Sequence, residues 1–567
     1  QLFFDPRLTF SVYLSELKRQ MMAKNPLNNP ELSHKIEVPF AWQDWVDLTE
    51  LNKHMKDGQR ILCADLAKKY EEQVTIEGYC LNLEDMTAKD LEEMGLPNLQ
   101  YTPGFAMKYS PETIATNQVR ILEAKSHLLT YAQNPLKIVF LTKNGVYEAH
   151  VAEKKQRMFD LDLVELYFEE KGYFGGDLKL KVDPVEEYYL LLTNVPLDVY
   201  ADDPLDYTKK MKEQNETSDR QLYVGIEAYN YRSDKINEQL TSYREQQKRL
   251  SMAKEQKNSA EIAELLFSRQ ELLYFELMEY MNQYDNTKEP TYFKLARLTT
   301  DLPENPKDAG WHYEWRFFNG ALRYQKPGWS KDELLTREKI ILDRILRNWF
   351  RFAQERGILL WIAHGPLLAW YWDGLLFPYD EDIDIQLPAQ EIIRFCRQYN
   401  QTLVVEDATE GFGKYFIDCS SFVHHRDRSH NQNHIDARFI DIDSGLYIDI
   451  TGLGILTEKI PEKYKKLDDE AKKKGELRPV YNCRNVHFYS QEELQPFRLT
   501  NVAGIPMYIP NKIKDILKDE YVRGMTWYEY YDFYYVNTLN LWLHIDKFKH
   551  ILPKDVGLKD NSAVIKA

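Results

Sequence analysis

The sequence predicts a mixed α/β protein, with one α/β domain in its C-terminal half and an N-terminal accessory region that is β-rich and helical. Two observations carry this. From Thr336 onward, segments of helical period alternate with short strand-like runs. Before that, Lys137 to Leu197 alternates in strand fashion and a charge-dense stretch of helical period follows. A chain of 567 residues suggests more than one domain, or one domain with large additions, and 43% hydrophobic with 13% aromatic residues is enough for a real core.

The elements follow in order. Residues 1–206 form the accessory region, with strands expected at Ile138–Leu141, Tyr147–Val151 and Tyr188–Leu192, and turns at Asn144-Gly145 and Gly175-Gly176. Residues 207–299 predict a helical hairpin that acts as a spacer or packing arm. Ser233 caps its first helix, with Ile236, Leu240 and Tyr243 on one face. Asn258-Ser259 starts the second, with Ile262, Leu266, Leu273 and Leu277 on its stripe. Residues 300–545 form the C-terminal domain and 546–567 a tail. Within that domain Thr336–Gln354 predicts a helix, with Ile341, Ile345, Trp349 and Phe352 inward and Gly357 past its end.

The chemistry-bearing residues cluster after this helix. The apolar run Ile358–Ala363 leads into His364-Gly365, which opens a helix. Such a start offers unpaired N–H groups to a phosphate, and Gly365 lets the backbone approach. Next comes Asp380-Glu381-Asp382-Ile383-Asp384-Ile385. Residues two apart on a strand share a face, so Asp382 and Asp384 project together while Ile383 and Ile385 pack on the other side. Two carboxylates on one face of a strand suit a divalent metal. Asp380 and Glu381 are either further ligands or solvated acids. Arg438–Asp443 alternates, turns at Ser444-Gly445 and returns as Leu446–Ile450. Asp449 lies on the face opposite Leu446, Ile448 and Ile450, and joins Asp382 and Asp384 if the strands are neighbours.

Other motifs weigh less. His425-Arg426-Asp427 resembles a kinase catalytic loop, but Gln432 stands where that pattern needs Asn, and no Asp-Phe-Gly follows. The segment reads instead as a loop, either a plain surface loop or one from which Arg426 or Arg428 closes over a substrate. Lys414 and Arg438 are candidates for phosphate or sugar. The aromatics from Trp527 to Tyr535 either stack on sugar rings or pack a helix.

A net charge of -16 argues against nucleic acid as a partner. No apolar run is long enough to span a bilayer. The five cysteines include no Cys-x-x-Cys pair, so a structural zinc site of that type is not expected. Cys396 fits a buried apolar position. Cys63 with Cys80 and Cys419 with Cys483 is one pairing in an oxidising lumen; free thiols are the other reading. Asn215-Glu216-Thr217 and Asn400-Gln401-Thr402 are glycosylation triplets.

The order of these motifs resembles the LicD family. The segments that carry the likeness are Trp315–Gly320, Trp361–Gly365, Trp372-Asp373-Gly374, Tyr379–Ile385, Gly411–Asp418, Ile435–Asp441 and Tyr447–Gly452. They span roughly residues 310 to 540, and agree best with the fungal mannosylphosphate transferases. The resemblance implies a nucleotidyltransferase-like fold, GDP-mannose as donor, and a mannose hydroxyl of a cell-wall or N-linked glycan as acceptor, with GMP released. It implies Mn²⁺, or Mg²⁺, on Asp382, Asp384 and Asp449, with Asp449 nearest the nucleophile. His364, Gly365, Lys414, Arg426 and Arg438 are the expected substrate contacts. The expected setting is the Golgi lumen, as a type II membrane protein whose anchor precedes Gln1. Alternatives are a different nucleotide donor, or a non-catalytic partner of another transferase.

Overall fold

A computed structural model describes residues 2–24, 36–55, 59–70, 78–96, 98–99, 102–109, 115–173, 181–196, 233–283, 293–298, 312–320, 330–424, 434–456, 459–483, 487–530 and 532–551. Its centre is an 11-stranded mixed sheet. The strands are β1 (Glu37–Phe40), β2 (Lys137–Thr142), β3 (Gly145–Lys155), β4 (Trp361–Ile362), β5 (Ile383–Pro388), β6 (Thr402–Val405), β7 (Lys414–Cys419), β8 (Ala437–Asp441), β9 (Tyr447–Ile455), β10 (Val480–Asn482) and β11 (Phe488–Ser490). Nine run in the order β1-β3-β2-β6-β7-β8-β9-β10-β11. Strand β5 lies parallel along β9, and β4 pairs antiparallel with β5.

Strand alternation divides the interior into two cores, one on each face of this sheet. Val139, Leu141, Val404, Ile417, Phe439, Ile383, Ile385, Ile448 and Ile450 enter one core. There they meet Trp349 and Phe352 of helix Lys331–Glu355 and Ile392 and Phe395 of helix Ala389–Tyr399. Their sequence neighbours Ile138, Phe140, Leu403, Val405, Phe416, Ile440 and Tyr447 enter the other. That second core is closed by the N-terminal residues Phe10, Tyr13, Trp42 and Trp45.

The N-terminal strands thus belong to the same sheet as the C-terminal ones. Strand β2 pairs parallel with β6, from Lys137 opposite Thr402 to Phe140 opposite Val405. The expected boundary at 206 does not separate two sheets, because the apolar edge of β6 is completed by β2. The helices Ser233–Glu255 and Arg269–Asn282 act as a packing arm. Ile236, Leu240, Tyr274, Met278 and Met281 are buried in the first core, and Arg397 pairs with Glu271 at 2.9 Å.

Three local expectations are corrected. Tyr188–Leu192 lies in the helix Pro184–Asn194, not in a strand. Asp183 accepts the Glu186 N–H and Pro184 occupies the first turn, a start signal that outweighs the strand preference of the tyrosines. Helix Lys331–Glu355 begins five residues before Thr336, at a capping box in which Ser330 and Glu333 bond each other's backbone N–H. Tyr530, Phe533, Tyr534 and Tyr535 sit on a small antiparallel sheet, Glu529–Tyr530, Phe533–Val536 and Leu541–His544, rather than on a helix. The Gly175-Gly176 turn and the triplet at Asn215 lie outside the described residues.

Cys63 and Cys80 are joined by a disulfide. The pairing of Cys419 with Cys483 does not occur: both are buried thiols, and Cys419 neighbours the Cys396 thiol instead. Asn400 is buried and its Oδ1 accepts the Cys419 N–H, so that triplet offers no accessible acceptor. No helix among the described residues is long and apolar enough to cross a membrane.

Candidate active site

Strand register assembles the acids. Asp384 on β5 lies directly opposite Asp449 on β9. Asp449 lies opposite Arg438 on β8, and Arg438 opposite Asp418 on β7. Directly opposed residues project from the same face of a sheet. The four side chains therefore form one row across four strands, on the face away from the isoleucines. Asp382, two residues before Asp384, shares that face beside Tyr447. The expected neighbourhood of Asp382, Asp384 and Asp449 is thus present in the structure.

Positive charge is threaded through this row. Arg438 donates from Nε to Asp449 Oδ1 at 2.7 Å, and its guanidinium stacks 3.9 Å from the centre of the Tyr447 ring. Its buried Nη1 has no hydrogen-bond partner among the described residues. Arg316 donates to Asp418 at 2.7 Å and to Glu314 at 2.6 Å, and Gln401 donates to the other Asp418 oxygen at 2.8 Å. His312 Nδ1 lies 3.9 Å from Asp382.

The carboxylates still outnumber their cations. Burial, with the charges of Asp382 and Asp449, pushes the Asp384 carboxyl up to about 8, against the pull of His364. Burial also raises Asp449 above the ordinary carboxylate range, although Arg438 opposes it. Asp380 is pushed well up by burial and by Asp382, with which it shares a hydrogen bond. It therefore joins the cluster rather than standing in solvent. Gly365 makes room for it, since a Cβ there would lie 2.5 Å from Asp380 Oδ2. The Lys339 amine, buried near Asp343, Asp380 and Asp373, is lowered to about 8 by desolvation.

A second group flanks the row. His364 holds a left-handed backbone, φ 51°, at the turn into helix His364–Asp373. Its Nδ1 lies 3.0 Å from Glu520 Oε2, at the end of helix Ile513–Glu520. Tyr489 donates to the other Glu520 oxygen at 2.5 Å, and His487 Nδ1 lies 3.7 Å from that oxygen. Burial pulls the His364 imidazole down, but the Glu520 bond and the charges of Glu520, Asp384 and Asp382 prevail and raise it to about 9. Glu520, His487, Tyr489, Arg316, Glu314 and Asp418 had no role in the sequence reading. Arg316 and Asp418 stood inside two of the LicD-like segments, but nothing local marked them as an ion pair. Glu520 gave no signal at all.

Two expected contacts lie elsewhere. Lys414 sits at the opposite end of β7 from Asp418, buried, and pairs with Asp443 at 2.8 Å. Its amine is committed to that ion pair and is not brought to the acid row. Arg426 lies outside the described residues.

The donor set suits the implied metal. Four aspartates converge on one face with an excess of negative charge, and an all-oxygen set favours hard divalent ions such as Mn²⁺ and Mg²⁺. Among the described residues, the set of three His, Cys, Asp or Glu donors whose ligand atoms all lie within 4.8 Å of one another is His364, His487 and Glu520.

Residues 357–512 match the family model described as LicD/FKTN/FKRP, nucleotidyltransferase domain. The chain carries a LicD-family domain. The matched span holds Asp382, Asp384, Arg438 and Asp449, whereas Arg316 and Glu520 complete the site from outside it. Two proteins of Saccharomyces cerevisiae are similar over most of the chain. Mannosyltransferase regulator 4 is 25% identical over 648 aligned residues, covering 91% of this chain and 51% of the relative. Mannosyltransferase regulator 14 is 24% identical over 653, covering 91% and 63%. The chain therefore spans between half and two thirds of the length of these curated relatives. LicD is a family of sugar-phosphate transferases, while both relatives are named for regulating a mannosyltransferase.

Proposed function

We propose that this chain transfers mannose 1-phosphate from GDP-mannose to a mannose hydroxyl of a cell-wall or N-linked glycan, and releases GMP. The observation that supports this reading best is the register of Asp384 against Asp449, with Asp382 on the same face. Phosphoryl transfer needs alignment and neutralisation of charge more than covalent help from the protein. A divalent ion, Mn²⁺ or Mg²⁺, held by Asp382 and Asp384 with Asp449 or Asp380 would supply that neutralisation at the diphosphate.

The chain's own groups do the rest. Asp449 takes the acceptor's proton on the oxygen that Arg438 leaves open; its raised pKa makes it a stronger base than an ordinary carboxylate. Arg438 fixes that carboxylate through Nε, and Nη1 is the group left for a substrate oxygen. The backbone at Gly365 faces the donor phosphate, and beside it His364 is charged at neutral pH when no ion occupies its Nδ1. The hydroxyl attacks phosphorus, the bond from phosphorus to the GMP oxygen breaks, and the bond between mannose and its phosphate survives. The Cys63–Cys80 disulfide supports an oxidising compartment, in keeping with a Golgi-lumen type II membrane protein.

A second reading has its own support. Arg438 already neutralises Asp449, and the relatives are named as regulators. In that case the domain binds a donor or a partner transferase without catalysis. Incubation with Mn²⁺, a mannose oligomer and a panel of nucleotide donors, followed by phosphorus NMR, separates the two. A phosphodiester formed from GDP-mannose supports transfer. A diester formed only from another donor changes the substrate. No diester from any donor favours the regulator.

A further inference from the structure

We propose that His364, His487 and Glu520 form a transition-metal site of the Zn²⁺ class, separate from the aspartate row. The three donors arrive from three elements: the turn into helix His364–Asp373, the residue before β11, and the last residue of helix Ile513–Glu520. His364 Nδ1 lies 3.0 Å from one Glu520 oxygen and His487 Nδ1 3.7 Å from the other. An ion about 2.0–2.2 Å from each of its ligands holds them about 3.0–3.5 Å apart. The observed spacings bracket that range, and all three ligand atoms lie within 4.8 Å of one another.

The chemistry of the set distinguishes it from its neighbour. Two imidazole nitrogens and one carboxylate oxygen suit a borderline ion, whereas the aspartates offer oxygen alone. One contact at the set is of the kind that metal ligands need. Tyr489 donates to Glu520 at 2.5 Å and fixes its carboxylate. Gln386 Nε2 lies 3.4 Å from His364 Nε2, and Gln386 is itself held by the Trp361 indole at 3.1 Å. That amide N–H donates to Nε2 and leaves the imidazole proton on Nδ1 facing Glu520, so an ion on Nδ1 would require the proton to move to Nε2 and the amide to turn. The His364 and His487 rings lie 4.3 Å apart between centroids, a spacing that disfavours charge on both imidazoles. Three protein ligands leave a further position open for water or a substrate oxygen. The ion would tie helix Ile513–Glu520, which lies beyond the matched LicD span, to the turn that bears Gly365.

The test uses the full chain, stripped with chelator and titrated with ZnCl₂ by calorimetry in the absence of nucleotide. The expected result is one tight Zn²⁺ per chain, weakened at least ~10-fold by His487→Ala and by Glu520→Gln. Asp382→Asn and Asp384→Asn should keep it within about threefold, since they remove charge but no ligand. Co²⁺ loaded into the unaltered chain should show the intense visible bands of a four- or five-coordinate, nitrogen-containing site. That spectrum decides the matter even if a ligand variant does not fold. No Zn²⁺ bound, or Zn²⁺ lost in Asp384→Asn and retained in His487→Ala, overturns the site; the first leaves a hydrogen-bonded triad, the second moves the ion to the aspartates. No donor enters the experiment, so its outcome is independent of whether the chain transfers mannose phosphate.

Discussion

Asp384 and Asp449 lie directly opposite one another on neighbouring parallel strands. Two acids in that position repel, and the sheet tolerates them because Arg438, opposite Asp449 on the next strand, binds it at 2.7 Å. Arg438 in turn lies opposite Asp418, which Arg316 neutralises from outside the sheet. Folding therefore sets the charge pattern and the site geometry in one step.

Arg438→Ala should destabilise the chain by ~3–5 kcal/mol, the cost of leaving a buried carboxylate without its partner. Arg438→Lys should recover part of this, because an ammonium restores charge but not the flat stack on Tyr447. Urea unfolding followed by circular dichroism measures both. A loss under about 1 kcal/mol for the alanine variant would mean that the row is hydrated rather than buried.

Stability of the metal-free chain should fall as pH rises from 6.5 to 8. The Asp384 carboxyl, ordinarily near 3.8, is pushed up to about 8, so in this window the folded chain holds a proton that the unfolded chain has lost. His364 acts in the same direction. Its pKa rises from 6.5 to about 9, so the stability it contributes is complete below 6.5 and is lost as pH passes through 9. Melting temperatures of chelated protein should therefore drop across the window, and Asp384→Asn should flatten the slope and raise the midpoint at pH 8. A midpoint that climbs with pH contradicts the protonated cluster.

Asp449→Asn should lose turnover far more than donor affinity. Asn keeps the size and an oxygen but removes the charge and most of the basicity. Calorimetry with GDP-mannose and Mn²⁺ reads the binding, and initial rates read the turnover. Binding that collapses in step with turnover would assign Asp449 to the donor's metal rather than to the acceptor's proton.

Hydrophobic period alone carries part of the site. Alternation of Ile383 and Ile385 with Asp382 and Asp384, and of Ile448 and Ile450 with Asp449, fixes which face each residue takes. It cannot say which strand lies beside which, so the row through Arg438 to Asp418 was out of reach. Glu520 comes from a helix far along the chain, and its tie to His364 exists only in three dimensions. Lys414 misled for the same reason: its distance from Asp418 along β7 decides its environment. The helix Pro184–Asn194 was legible in Asp183-Pro184, a cap followed by a first-turn proline, but the tyrosines and leucines after it also fit a strand.

Thiol mapping checks the covalent frame. Alkylation after denaturation without reductant should label Cys396, Cys419 and Cys483 and leave Cys63 and Cys80 joined. A peptide linking Cys419 to Cys483 would require β7 and the end of β10 to meet, against the sheet order.

The most direct test of the account compares the unaltered chain with Asp384→Asn. Each is incubated with GDP-mannose, Mn²⁺ and a mannose oligomer, and the nucleotide product is separated by chromatography. The account predicts GMP, in step with a new phosphodiester on the glycan, from the unaltered chain, and almost none from the folded Asp384→Asn variant. GDP as the direct product, or equal GMP from both proteins, would contradict phosphoryl transfer at the aspartate row.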